Sequence, residues 1–194
     1  NEHIYNLMNK WPNWEKNFLN ISGEKLSGKS HLINIFLKKF KGIKIDASSL
    51  NNENLSKIKI YENIILENLE SNIDEKLLYT LCNIIDQDNK YLIITSITPI
   101  VYINFNLDDL NSRAKNFLLY NIEKPDDDLI FAIILKNLSD RQIVLDKKNI
   151  DYIIKRIDRS YEKISQFILT LDKYSLKKGS PFALKMIKEV LKMV

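Results

Sequence analysis

Two of the four glycines in this 194-residue chain stand in one short string, Gly23-Glu24-Lys25-Leu26-Ser27-Gly28-Lys29-Ser30. It fits the pattern GxxxxGK[ST], and the chemistry that spacing serves is phosphate binding. Glycines let the backbone wrap closely around a phosphate, and the amides of the turn donate to its oxygens. Lys29 would reach the β- and γ-phosphates of a nucleoside di- or triphosphate, and the Ser30 hydroxyl would hold Mg²⁺. The rest of the loop and His31, the first residue beyond it, complete the expected nucleotide-binding set. The apolar stretch 18–21 precedes the motif, and Leu32, Ile35 and Phe36 follow at helical spacing. That is the strand–loop–helix context a phosphate loop needs.

A phosphate loop needs an acid at the end of a second strand to position the metal. Ile64-Ile65-Leu66-Glu67-Asn68 is the good candidate. Glu67 would hold Mg²⁺ directly or through water; otherwise it caps a strand. Asn68 occupies the position of a water-activating acid but cannot take a proton, which implies slow intrinsic hydrolysis. Thr95 and Ser96 end the apolar run 91–95. There a polar side chain either feels the γ-phosphate or caps the following loop.

Arginine occurs only at positions 113, 141, 156 and 159, against many lysines. Arg is favoured over Lys where a planar, permanently charged fork is useful. Arg113 precedes the last apolar strand, where an arginine finger for a neighbouring subunit's nucleotide would project; the alternative is a solvated helix-end charge. Arg156 and Arg159 stand about one turn apart, either closing over a nucleotide or pairing at the surface. Trp11 and Trp14 read as core or adenine-side packing.

The elements that must position these residues alternate. Strands are expected at 18–21, 43–46, 64–66, 91–95 and 117–122, with helices at 2–10, 31–40 and 73–85 and a helical turn at 107–110. Residues 51–60 read as helix or loop. This alternation specifies an α/β domain with a mainly parallel five-stranded sheet. At Pro125-Asp-Asp-Asp128 the texture changes to a helix start, with acids where the dipole favours them. Helices at about 126–139, 147–157, 160–173 and 181–193 follow, the last two separated by Gly179-Ser-Pro181. Domains are thus expected at 1–122 and 123–194.

Composition narrows the classes. The chain is 45% hydrophobic and 28% charged, an ordinary globular balance. A net charge of +4 is too small by itself to argue for nucleic acid. The single cysteine, Cys82, permits no internal disulfide and suits a reducing cytosol, so a cytoplasmic protein is expected. Two histidines without a Cys/His cluster argue against structural zinc. No apolar run approaches the roughly 20 residues of a membrane span. Residue 1 is Asn and a helix begins almost at once, so a trimmed or missing N-terminus is expected.

Taken in order, these motifs resemble AAA+ ATPases, and within them the DnaA/Hda family. The resemblance covers almost the whole chain. It rests on Trp11-Pro-Asn-Trp14, Gly28-Lys-Ser-His-Leu32, Leu66-Glu-Asn-Leu-Glu70, Thr95-Ser96, Leu107-Asp-Asp-Leu-Asn-Ser-Arg113 and Pro125-Asp-Asp-Asp128. Asp140-Arg-Gln-Ile143, Arg156-Ile-Asp-Arg159 and Thr170-Leu-Asp172 extend it. It implies a three-layer αβα P-loop domain followed by an all-helical lid. The acid–Asn pair, and an end at Val194 that leaves out a helix-turn-helix DNA-binding domain, look like the short Hda-type members. Such proteins act with the DNA-loaded sliding clamp to make DnaA hydrolyse its ATP, which restrains re-initiation of replication. The implied roles are Lys29 and Ser30 on phosphate and Mg²⁺, Glu67 as the Walker B acid, Thr95 and Ser96 as sensor candidates, and Arg113 as the finger in trans. ADP or ATP would be the cofactor, with DnaA and the clamp as partners and a homo-oligomer as a further option. A self-sufficient ATPase of the DnaA or helicase-loader type, acting on DNA, is the competing class. Two departures stand out. The family's N-terminal clamp-binding motif is not visible, and the lid's sensor arginine falls at Glu162, with Arg159 a turn earlier as the substitute.

Overall fold

The computed structural model describes residues 2–141, 143, 145–178 and 184–193. Five strands form one sheet: β1 (Phe18–Gly23), β2 (Gly42–Asp46), β3 (Asn63–Leu69), β4 (Tyr91–Ser96) and β5 (Leu118–Ile122). The order is β2-β3-β4-β1-β5 and every pairing is parallel. Parallel strands are covered on both faces, so they read as apolar runs without alternation. β1 is buried along its whole length.

Helices α1 (Glu2–Asn9), α2 (Lys29–Lys39), α3 (Asn52–Lys57), α4 (Glu75–Gln87) and α5 (Asp108–Ala114) complete this part of the chain. One sheet face carries Phe18, Ile45, Ile64, Leu66, Leu92 and Ile94 against α4, whose Leu78, Leu81, Cys82 and Ile85 form its buried stripe. Leu19, Ile21, Ile65 and Ile93 alternate to the other face. There α2 contributes Leu32, Ile33 and Phe36, and α1 contributes Ile4 and Met8. Trp11 and Trp14 pack among Phe36, Phe40 and Tyr91, and the Trp14 indole donates to the Leu7 carbonyl at 2.7 Å. Trp14 belongs to the core, and half-buried Trp11 packs at its margin. Burial pushes the Cys82 thiol up to about 12, which makes the lone cysteine a packing residue.

By its contacts the chain divides into two compact units. The first holds residues to Gly23 and Gly28–Ile122; the second holds Glu24–Ser27 and Glu123–Val194. The second is helical: α6 (Asp127–Asp140), α7 (Lys147–Ile154), α8 (Tyr161–Lys178) and α9 (Leu184–Leu191). Ile134, Ile153, Phe167 and Ile187 stand at its fully buried centre. Asp126 caps α6 by accepting from the Leu129 amide at 2.8 Å, and Asp127 and Asp128 occupy the first turn. That is the arrangement the helix dipole favours.

Several boundaries differ from the sequence-based expectation. β3 does not end at Glu67 but continues to Leu69, with an irregular register between Leu66 and Leu69. α4 starts at Glu75 because Asp74 caps it, accepting from the amides of Lys76 and Leu77. α8 runs to Lys178, beyond 173. The Gly179-Ser-Pro181 breaker lies outside the described residues.

Candidate functional site

In a parallel sheet the carboxyl ends of all strands share one edge, and ligands bind there. Gly23 ends β1 and Ser96 ends β4 at this edge, and Glu67 lies in the last part of β3; the register sets Ser22 against Ser96 and Asp46 against Glu67. Gly23 leads into the loop, and its amide donates to the Ile97 carbonyl at 3.2 Å. Leu26 adopts φ 63 and is exposed. Gly28 sits at the N-cap of α2 with φ 95, a left-handed conformation that disfavours any side chain. A Cβ there would meet nothing within 4 Å, so the backbone faces open space. No side chain caps α2, which leaves its first turn suited to an anionic cap. Ser30 and His31 are exposed on that turn. Lys29 donates to the Gly23 carbonyl at 2.7 Å, and partial burial holds its pKa below the usual lysine range. Its ammonium is thus anchored at the end of β1.

Glu67 is buried, and its Oε2 pairs with Lys44 of β2 at 3.1 Å. Its Oε1 is buried with no hydrogen-bond partner among the described residues. An orphaned buried carboxylate oxygen signals a missing water or ion, so this residue fits a metal-holding role. No cluster of three or more His, Cys, Asp or Glu suited to a metal occurs among the described residues. A hydroxyl, one carboxylate and phosphate oxygens form a donor set for Mg²⁺, which keeps much of its water.

Asn68 has φ 59. Its amide donates to Thr95 Oγ1 at 3.0 Å, and its side chain donates to Asp46 Oδ2 at 2.7 Å. Asp46 also accepts from the amide and hydroxyl of Ser48; the hydrogen bonds from Ser48 and Asn68 hold its pKa below the usual carboxylate value. Asn68 is therefore tied to the end of β2. Beside it opens a polar cleft of about 370 Å³ that includes Asp46, Ser48, Asn68, Glu70 and Asp74.

Ser96 and Thr95 are buried, and Ser96 is held by a residue that sequence reasoning passed over. Asn20, fully buried in β1, donates to the Ile94 carbonyl at 3.1 Å and to Ser96 Oγ at 3.0 Å. Its Oδ1 accepts from the Ile100 amide at 2.9 Å. A polar residue inside an apolar strand was the available signal.

Arg113 stands in the last turn of α5 and is turned onto α4. It pairs with Asp86, donates to Asn83 Oδ1 and lies over the Tyr79 ring. The guanidinium borders a surface cleft of about 400 Å³ with Lys16, Asp86 and Asn116. In the helical unit, Arg159 pairs with Asp127 at 3.0 Å, both largely exposed. Glu162 lies in the first turn of α8 and accepts from Gln166 at 3.4 Å.

This architecture is shared with solved proteins. Domain III of the replication initiation protein DnaA of Thermotoga maritima superposes with a TM-score of 0.78 at 20% identity, covering 99% of this chain and 91% of that one. AMPPCP-bound DnaA of Aquifex aeolicus gives 0.75 at 20% identity over 98% of this chain and 64% of that one. The RuvB Holliday junction branch migration motor of Thermotoga maritima gives 0.67 at 11% identity over 91% of this chain and 61% of that one. The chain therefore has the α/β fold of the AAA+ domains of DnaA and RuvB. No known family profile matches it.

Proposed function

We propose that this protein is a nucleotide-binding AAA+ regulator of the Hda type. With the DNA-loaded sliding clamp, it stimulates ATP hydrolysis by DnaA and so restrains re-initiation of replication. The observation that carries the reading is the pairing of a complete phosphate loop with Asn68 at the water-activating position, its side chain held by Asp46. Such a site retains a nucleotide and turns it over poorly. Lys29 and the α2 N-terminus hold the phosphates of ADP or ATP, Ser30 and Glu67 hold Mg²⁺, Thr95 and Ser96 border the γ-phosphate, and Arg113 serves a partner's nucleotide. Arg159 stands in for the lid's sensor arginine. Support comes from the likeness to an initiator solved with AMPPCP.

The deciding experiment measures ATP turnover by DnaA of the same organism, with and without this protein and clamp-loaded DNA. Acceleration of DnaA, with negligible turnover by this protein alone, is the expected result. Motor-like turnover by this protein and no effect on DnaA would establish the self-sufficient ATPase instead.

A further inference from the structure

The chain's net charge is not evenly spread. Residues 123–194 contain fifteen basic and eleven acidic residues, so they carry the whole excess of +4, while residues 1–122 balance at fourteen each. A sign asymmetry of this kind points to an anionic partner for the helical unit. Within that unit the charges have a definite place. Lys185, Lys188 and Lys192 are exposed, spaced i, i+3 and i+7 along and just beyond α9. They therefore form one row about 10 Å long, at 1.5 Å per residue. Lys188 lies 5.8 Å from the centroid of the Tyr152 ring of α7. Arg156 stacks on that same ring at 3.7 Å, and exposed Lys148 stands one turn before Tyr152. Tyr152 thus joins the two helices' cations into one surface, flanked by half-buried Asp151 and Glu189.

We propose that this α7/α9 surface binds the phosphate backbone of duplex DNA without sequence preference. A duplex presents about one negative charge per 1.7 Å of axis, so a cation row about 10 Å long faces roughly six phosphate charges. The surface offers lysine and arginine heads, which contact phosphates whatever the base sequence. A bilayer is disfavoured because α9 has already spent its apolar face: Met186, Ile187 and Val190 are buried in the lid core. An acidic protein is disfavoured because Tyr152, the aromatic ring at the centre of this surface among the described residues and the kind of anchor protein interfaces use, is covered by Arg156. The surface is remote in sequence from the phosphate loop and would bind DNA in a regulator and in a motor alike.

The test is fluorescence anisotropy of the full chain with a labelled duplex of about 30 base pairs, in salt from roughly 50 to 200 mM. Three to five backbone contacts predict a log–log salt slope of about −3 to −4.5, a roughly 60- to 500-fold loss over that range. Lys185→Gln/Lys188→Gln/Lys192→Gln should lower the slope by about 2 to 3 while leaving nucleotide affinity unchanged. The charge-reversed Lys→Glu set should abolish binding. The control Lys10→Gln/Lys59→Gln/Lys76→Gln removes the same net charge from the first unit and should bind as the wild type does. Equal weakening by the control and the α9 set would overturn the proposal in favour of diffuse attraction. So would failure to bind duplex while phosphatidylglycerol vesicles are bound in a Lys188-dependent way.

Discussion

At the scale of single residues, the Asp46–Asn68 contact decides how the site responds to change. Asn68 is not a loose relic of a catalytic acid; its side-chain amide donates to Asp46, and its backbone N–H fixes Thr95. Replacing Asn68 by Asp would set a second carboxylate beside Asp46, whose charge is now stabilised by Ser48 and Asn68. Asn68→Asp should therefore cost about 1 kcal/mol in urea unfolding and leave the protein's own ATP turnover unraised. The swap Asp46→Asn/Asn68→Asp should recover most of that stability, a coupling that a double-mutant cycle reads directly. A single Asn68→Asp variant with full stability and brisk turnover would show that the side chain is free to orient water. Lys29 gives the second prediction at this scale. Lys29→Ala removes a charge-assisted contact and should weaken ADP binding by about 1.5–3 kcal/mol in calorimetry. Because burial lowers its pKa, the wild-type affinity should begin to fall on the alkaline side below pH 10.5, the ordinary lysine value. Affinity indifferent to both the substitution and pH would remove Lys29 from the site.

At the scale of elements, the edge where β1, β3 and β4 end depends on a buried polar brace. Asn20 of β1 reaches across to β4 and to the loop after it, satisfying three groups at once. Asn20→Ala would leave the buried Ile100 amide without its acceptor and Ser96 without its donor. A loss of about 2–3 kcal/mol is expected, seen as a lower melting temperature together with weaker nucleotide binding. A variant as stable as the wild type would mean that water replaces the amide. This brace also shows where sequence reading stopped. The strands were legible because a sheet buried on both faces needs apolar runs; 64–66 and 91–94 are such runs, and 18–21 is one broken only by Asn20. The loop was legible because its backbone demands glycine at position 28. The course of β3 through Glu67 and Asn68 was not, since a positive φ at Asn68 and a register shift leave no periodic trace. Nor were the Asp46–Asn68 and Asn20–Ser96 contacts. They join residues 22 and 76 apart in sequence, and only the strand order β2-β3-β4-β1 brings them together.

At the scale of the whole molecule, the proposed function gives Arg113 two roles, one in this chain's fold and one in a partner's chemistry. Its local role is to tie α5 to α4 through Asp86 and Asn83 and to cover Tyr79. It also borders an open cleft, where a second protein's phosphates would have access. Arg113→Ala mixes the two roles, because losing the tie costs stability as well as the fork. Arg113→Lys separates them. A lysine keeps a positive charge beside Asp86 and most of the packing but lacks the planar bidentate head. It should change the melting temperature little. An arginine finger accelerates phosphoryl transfer by about 10³–10⁵, so the same variant should lose most of the stimulation of DnaA. Asp86→Asn is the converse probe, since it loosens the α4–α5 tie while leaving the guanidinium intact; stability should fall by about 1 kcal/mol and stimulation should persist. Stimulation that instead follows stability across Arg113→Ala, Arg113→Lys and Asp86→Asn would make Arg113 a structural residue. The trans-acting group would then have to be sought elsewhere on the molecule.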